Sequence, residues 1–168
     1  MRLYVPLTLG GLTAAHSAGE LPAPLTAYAV TPALREWYAA GDEEELEYAA
    51  MAQAARASVG LIAADDTAVR RRVVLACEVK SVLAAGGDRE LGDARLDLTA
   101  GLPWSAVQAA HVDATQAIEV VTQAADSWDA AQKGDEDAVF ALDACEGEEL
   151  LWYATQEVPD LLKEVGSG

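Results

Sequence analysis

The side chains best able to do chemistry here are carboxylates. Read as one helix from Asp135 to Leu162, the C-terminal region places Leu142, Glu146, Glu149, Tyr153 and Gln156 on one face, at i, i+4, i+7, i+11 and i+14. Glu44, Glu47 and Tyr48, on an earlier acidic helix, are positioned to face that row. Such an oxygen-rich set suits Mg²⁺, Mn²⁺ or Ca²⁺, with Glu44, Glu47 and Glu149 as the candidate metal ligands. The Glu-x-x-His pattern of carboxylate di-metal bundles and the EF-hand loop are both absent, so a solvated acidic face explains the same residues more simply. His111 and Asp113 form the second constellation. At i and i+2 on a strand they share a face, as a base and its orienting acid would. No nucleophile accompanies them, and no G-x-S-x-G turn is present. The candidate ligand-binding set is therefore His111, Asp113, Glu146, Glu149, Tyr153 and Gln156, with catalytic residues unassigned. Gly10-Gly11 and Gly86-Gly87 are glycine pairs rather than phosphate cradles. With no Walker A or G-x-G-x-x-G motif, no cofactor is expected.

These residues sit on a chain of 168, the length of one compact domain, expected over 1–165 with 166–168 as a flexible tail. Apolar residues make up 52%, which excludes a disordered chain, but alanine supplies much of that fraction and fills little volume. The net charge is −17. Residues 1–84 carry seven basic and ten acidic groups, net −3, and residues 85–168 carry four and eighteen, net −14. Nucleic acid and anionic membrane surfaces need a positive footprint and are excluded as partners; a basic protein or a second copy is compatible. Arg70-Arg71-Arg72 is the one basic cluster, too short for a nucleic-acid stripe and read as local charge balance. Cys77 and Cys145 fall in apolar patterns without metal spacing, so they read as reduced core residues of a cytoplasmic protein. Arg2 before an apolar run loosely imitates a signal peptide, but Pro6 interrupts that run, and no stretch is long enough for a membrane span.

The periodicities predict an α+β fold: a small central mixed or antiparallel sheet with helices mostly on one face. Residues 2–8 alternate as a strand, 9–18 read as a short helix closed by Gly19, and 26–30 as a second strand. Thr31-Pro32 starts a helix that stops at Gly41. Asp42 and Glu45 occupy capping-box positions for the next one, which runs to about Ala64. Its glutamates, Glu43 to Glu47, suit a helix N-terminus without invoking function. Val69 to Lys80 is the strongest strand, apolar on both faces. Then follow a loop at 86–88, a strand at 94–99, a short helix from Pro103 to Ala110, a brief strand at 111–113 and a helix from 114 to 131. That last helix has Ile118, Val121, Ala125 and Trp128 as its core stripe. The closing helix from Asp135 carries Leu150, Leu151 and Ala154 as core. The tryptophans and tyrosines, at helical core spacing, read as packing rather than a ligand cage. Trp37 to Glu44 and Trp128 to Asp137 match as acidic junctions, pointing to a pseudo-twofold duplication of a strand-helix-strand-helix-helix unit.

The runs Val30 to Tyr38, Gly41 to Ala50 and Glu149 to Leu161, with Met1 to Pro6 and His111 to Asp113, resemble an actinobacterial family classed as a domain of unknown function. The resemblance spans nearly the whole chain and is weaker between Lys80 and Ala94. It implies a single-domain, cytoplasmic protein of bacterial origin. The family has no assigned activity, so it transfers no catalytic residue. The leading expectation is an acidic protein that acts through protein–protein contact, as a homodimer or with a basic partner. The alternative is a small enzyme or binding protein with a divalent-metal pocket built from Glu149, Glu47 and His111.

Overall fold

The computed structural model describes residues 1–82, 84 and 90–167. Its centre is a six-stranded, wholly antiparallel sheet in the order β5-β3-β1-β4-β7-β8. The strands are β1 (Arg2–Leu7), β3 (Leu25–Tyr28), β4 (Val73–Glu78), β5 (Arg95–Leu98), β7 (Val107–Asp113) and β8 (Leu150–Ala154). A two-stranded ribbon joins β2 (Glu20–Leu21) to β6 (Leu102–Pro103). The helices are α1 (Leu9–Ala18), α2 (Pro32–Trp37), α3 (Glu43–Ala63), α4 (Ile118–Asp126), α5 (Trp128–Gln132), α6 (Glu136–Glu146) and α7 (Val158–Ser167). The fold is α+β, as expected.

Alternation along the central strands explains the layering. Leu3 and Val5 of β1, Val73, Leu75 and Cys77 of β4, and Ala110 and Val112 of β7 pack with Leu9 and Leu12 of α1 and Val158 and Leu161 of α7. The opposite face, Tyr4, Val74, Ala76 and Ala109, meets Leu34 of α2 and Leu46, Ala50 and Ala54 of α3. The far half of α3 (Val59, Ile62) then packs with Val121 and Ala124 of α4 and Leu142 and Cys145 of α6. Most helices thus lie on the α3 side, and α1 and α7 cover the other. β4 is covered on both faces, as its apolar sequence requires. Ser58 ties the two layers together: its buried hydroxyl donates to Leu7 O (2.7 Å) and accepts from Val73 N (3.1 Å).

The capping signals hold. Thr8, Thr31 and Asp42 each accept a backbone N–H at their helix start, and Gly19 closes α1 in the left-handed region at φ 77°. Both acidic junctions end in a capping aspartate, Asp42 for α3 and Asp135 for α6. The elements beyond them differ: α3 runs 21 residues, whereas α6 stops after 11.

That stop is the main correction. The expected helix from Asp135 to Leu162 is α6, then β8, a 3-10 turn at Thr155–Glu157, and α7. A short apolar run such as Leu150-Leu151-Trp152-Tyr153-Ala154 has no periodicity that separates helix from strand, and here the open side of β7 recruits it. Register runs continuously from Ala109↔Ala154 to Asp113↔Leu150. Gly147 and Pro159 punctuate the run on either side. Three smaller differences accompany it, the first with the same cause. The expected helix from Pro103 to Ala110 is one 3-10 turn, Trp104–Ala106, before β7 begins at Val107. The helix over 114–131 divides at Ser127 into α4 and α5, and Ala117, Val121, Ala124 and Ala125 are its buried positions. The strand over 69–80 shortens to Val73–Glu78, releasing Arg70 to Arg72 for other bonds. The expected loop at 86–88 lies outside the described residues.

Candidate functional site

His111 and Asp113 do share a face of β7, yet they do not work together. Asp113 is completely buried, and Arg72, 2% exposed, takes up its carboxylate. Arg72 donates through its backbone N (2.7 Å) and Nε (2.8 Å) to Oδ2, and through Nη2 to Oδ1 (2.8 Å). The same Nη2 donates to Glu148 O (2.9 Å), and Arg71 Nε donates to Asp113 O (2.8 Å). This bidentate pair fastens the end of β4 to the end of β7 and to the chain entering β8. The arginine cluster does balance charge locally, Arg72 against Asp113, and it also locks structure; Arg70 Nη1 likewise donates to Ile62 O at the end of α3 (3.0 Å). His111 is half-buried, and burial, with the Arg2 charge second, holds its imidazole below the ordinary value. Among the described residues it has neither the carboxylate partner nor the nucleophile that a catalytic base needs.

The row of carboxylates is dispersed by the strand that replaces the helix. Glu146 ends α6 and Glu149 lies in the following turn; Tyr153 is on β8, where it packs toward α1 and α7. Gln156 is exposed in the 3-10 turn. Two of these residues share a groove with α3. Glu146 and Glu149 line a groove of about 310 Å³ with Tyr48, Met51, Ala52 and the buried Arg72. A wider, more open groove of about 780 Å³ joins Glu44, Tyr48 and Glu146 to Tyr38 and Arg56. Within it Arg56 Nη1 already pairs with Glu146 Oε1 (2.6 Å) and approaches Asp143 (3.7 Å). Glu47 and His111 line neither groove. Among the described residues, no three His, Cys, Asp or Glu side chains gather where one cation would touch them all. The cysteines are unsuited to nucleophilic work: burial pushes the Cys77 thiol up to about 12 and the Cys145 thiol up to about 11.

The feature that helical reading concealed is the sheet edge. β8 pairs with β7 on one side, and among the described residues no strand pairs with its other side. Its side chains alternate: Leu150 and Trp152 toward the α3 layer, Leu151 and Tyr153 toward the α1 and α7 layer. Leu151 is 46% exposed and Trp152 is 61% exposed, so large apolar side chains emerge on both faces of the outermost strand. This corrects the expectation of Leu151 as core, whereas Leu150 is half-buried and packs against the α3 layer. Trp37, Tyr38, Tyr48 and Phe140 are exposed as well, so the aromatic residues are not all packing. Proteins guard sheet edges with lysine, proline, bulges or a covering element. Leu150–Ala154 contains no charge and no proline, and its register has no bulge. The opposite edge is guarded: β5 carries Arg95 and Asp97, and Ala84 bridges to its Leu98. Two aromatics and two leucines between Gly147 and Pro159 were the available sequence signal for this strand.

No curated protein and no solved structure matches the chain. A family model does match, and it covers residues 1–162, the whole sheet together with α1 to α6 and the first half of α7. With nearly its full length inside that match, the chain belongs to the family of unknown function DUF6912.

Proposed function

We propose that this protein acts by binding other protein chains, and that the β8 edge is where it binds them. One observation carries the reading: an uncharged, unguarded edge strand exposes Leu151 and Trp152 on opposite faces of the sheet. A ligand lying on one face would cover one of these residues, whereas a strand added to the edge covers both and satisfies the outward backbone groups. The unpaired, buried cysteines support a cytoplasmic setting. Among the described residues no helix is long and apolar enough to cross a membrane. The metal-pocket alternative lacks such support, since among the described residues no three His, Cys, Asp or Glu side chains form a group able to hold one ion.

The test compares wild type with Trp152→Lys as baits for affinity capture from host lysate, alongside light scattering of each purified protein. The reading predicts that wild type associates, with itself or with a captured chain, and that the variant loses this at unchanged circular dichroism. Identical behaviour of the two baits contradicts it.

A further inference from the structure

We infer that the chain occupying the β8 edge is β8 of a second copy, antiparallel about a twofold axis through Trp152, so that two sheets become one. This rests on the reading of β8 as a binding edge. Three observations choose a second copy. First, the strand is uncharged over Leu150–Ala154, so its best complement is another uncharged apolar strand, and β8 is one. Second, every pair in the sheet is antiparallel, and a twofold axis perpendicular to the sheet continues that pattern with like faces aligned. Third, the charges fit. Full overlap of Leu150–Ala154 with its twofold mate puts Trp152 opposite Trp152, Leu151 opposite Tyr153 and Leu150 opposite Ala154. Beyond the strand, Glu149 then meets Thr155 and Glu148 meets Gln156, so no carboxylate faces a carboxylate. Centring the axis on Tyr153 instead would set Glu149 against Glu157. The exposed Leu151 and Trp152 are covered together, one on each face.

Sedimentation velocity over a concentration series, at low and high salt, tests this directly. Two chains of net charge −17 repel, so self-pairing tightens as salt rises, whereas binding of a basic strand loosens. The expected result is a salt-strengthened dimer that Trp152→Lys and Leu151→Lys each weaken by about tenfold or more, with unchanged circular dichroism. Under mild oxidation Trp152→Cys should cross-link to its mate. Directly opposed residues lie about 4.5–5.5 Å apart at Cα, within disulfide range. Tyr153→Cys, opposite Leu151, should not. A dimer that survives Trp152→Lys overturns the inference. A monomer at every concentration also overturns it, and a synthetic strand peptide with lysines flanking an apolar centre then separates two cases. If the peptide binds wild type and not Trp152→Lys, the edge reading stands with a different occupant; if it binds neither, both fall.

Discussion

At the scale of single residues, the decisive groups are buried polar ones that the fold cannot leave unpaired. Arg72 and Asp113 are the clearest case. Removing one member strands the other's charge in the interior, so Asp113→Ala should lose about 3–5 kcal/mol in urea denaturation. A loss near zero would mean that the pair is solvated. Ser58 serves two backbone groups at once, and Ser58→Ala should cost about 1–3 kcal/mol for the carbonyl and amide it abandons. His111 makes a pH prediction whose sign follows from burial. Its pKa is depressed in the folded state, so the unfolded chain binds the proton more readily. Its contribution is complete above the ordinary value of 6.5 and is lost as pH falls through the folded value. Denaturation of wild type against His111→Gln should show wild type losing relative stability below about pH 6.5, the ordinary histidine value. A flat difference would place His111 in water. None of these roles could be seen in the sequence. His111 and Asp113 looked like partners because they share a strand face, and only the fold shows that Arg72, 41 residues earlier, has claimed the acid.

At the scale of elements, what was legible was whatever carries its own local signature. Asp42 and Thr31 announce helix starts, Gly19 a helix end, and the alternation of β1 and β4 their central place. What was illegible depended on a distant partner. Leu150–Ala154 is a strand because β7 is beside it, and the first turns after Pro103 give way to strand because β4 is beside them. The candidate site inherited this error: a helical row of Glu146, Glu149, Tyr153 and Gln156 disappears once the middle of the helix is extended, and only Glu146 and Glu149 still meet α3 across a groove. Helix packing supplies a test of its own. A Cβ on Gly60 of α3 would lie 2.7 Å from Trp128 Cζ2 of α5. Alanine is intrinsically the better helix former by about 1 kcal/mol. Gly60→Ala should nevertheless destabilise by about 1–3 kcal/mol, because the indole has to be displaced. Stabilisation by the variant would show that α5 is loosely docked.

At the scale of the whole molecule, the −17 charge and the apolar edge act in opposite directions. On the proposed reading, the charge keeps copies apart in dilute, low-salt solution, and the edge would draw strands together at short range, where screening limits repulsion to about 8–10 Å. If the proposal holds, an acidic surface around the uncharged β8 would favour association at that strand over indiscriminate aggregation. The most direct test is amide hydrogen–deuterium exchange across residues 148–156, measured on dilute and concentrated protein. Slower exchange within Leu150–Ala154 at high concentration, abolished by Trp152→Lys, is the predicted result. Exchange of β8 amides that is equally fast at both concentrations, and unchanged when binding chains are supplied, would contradict a binding role for this edge.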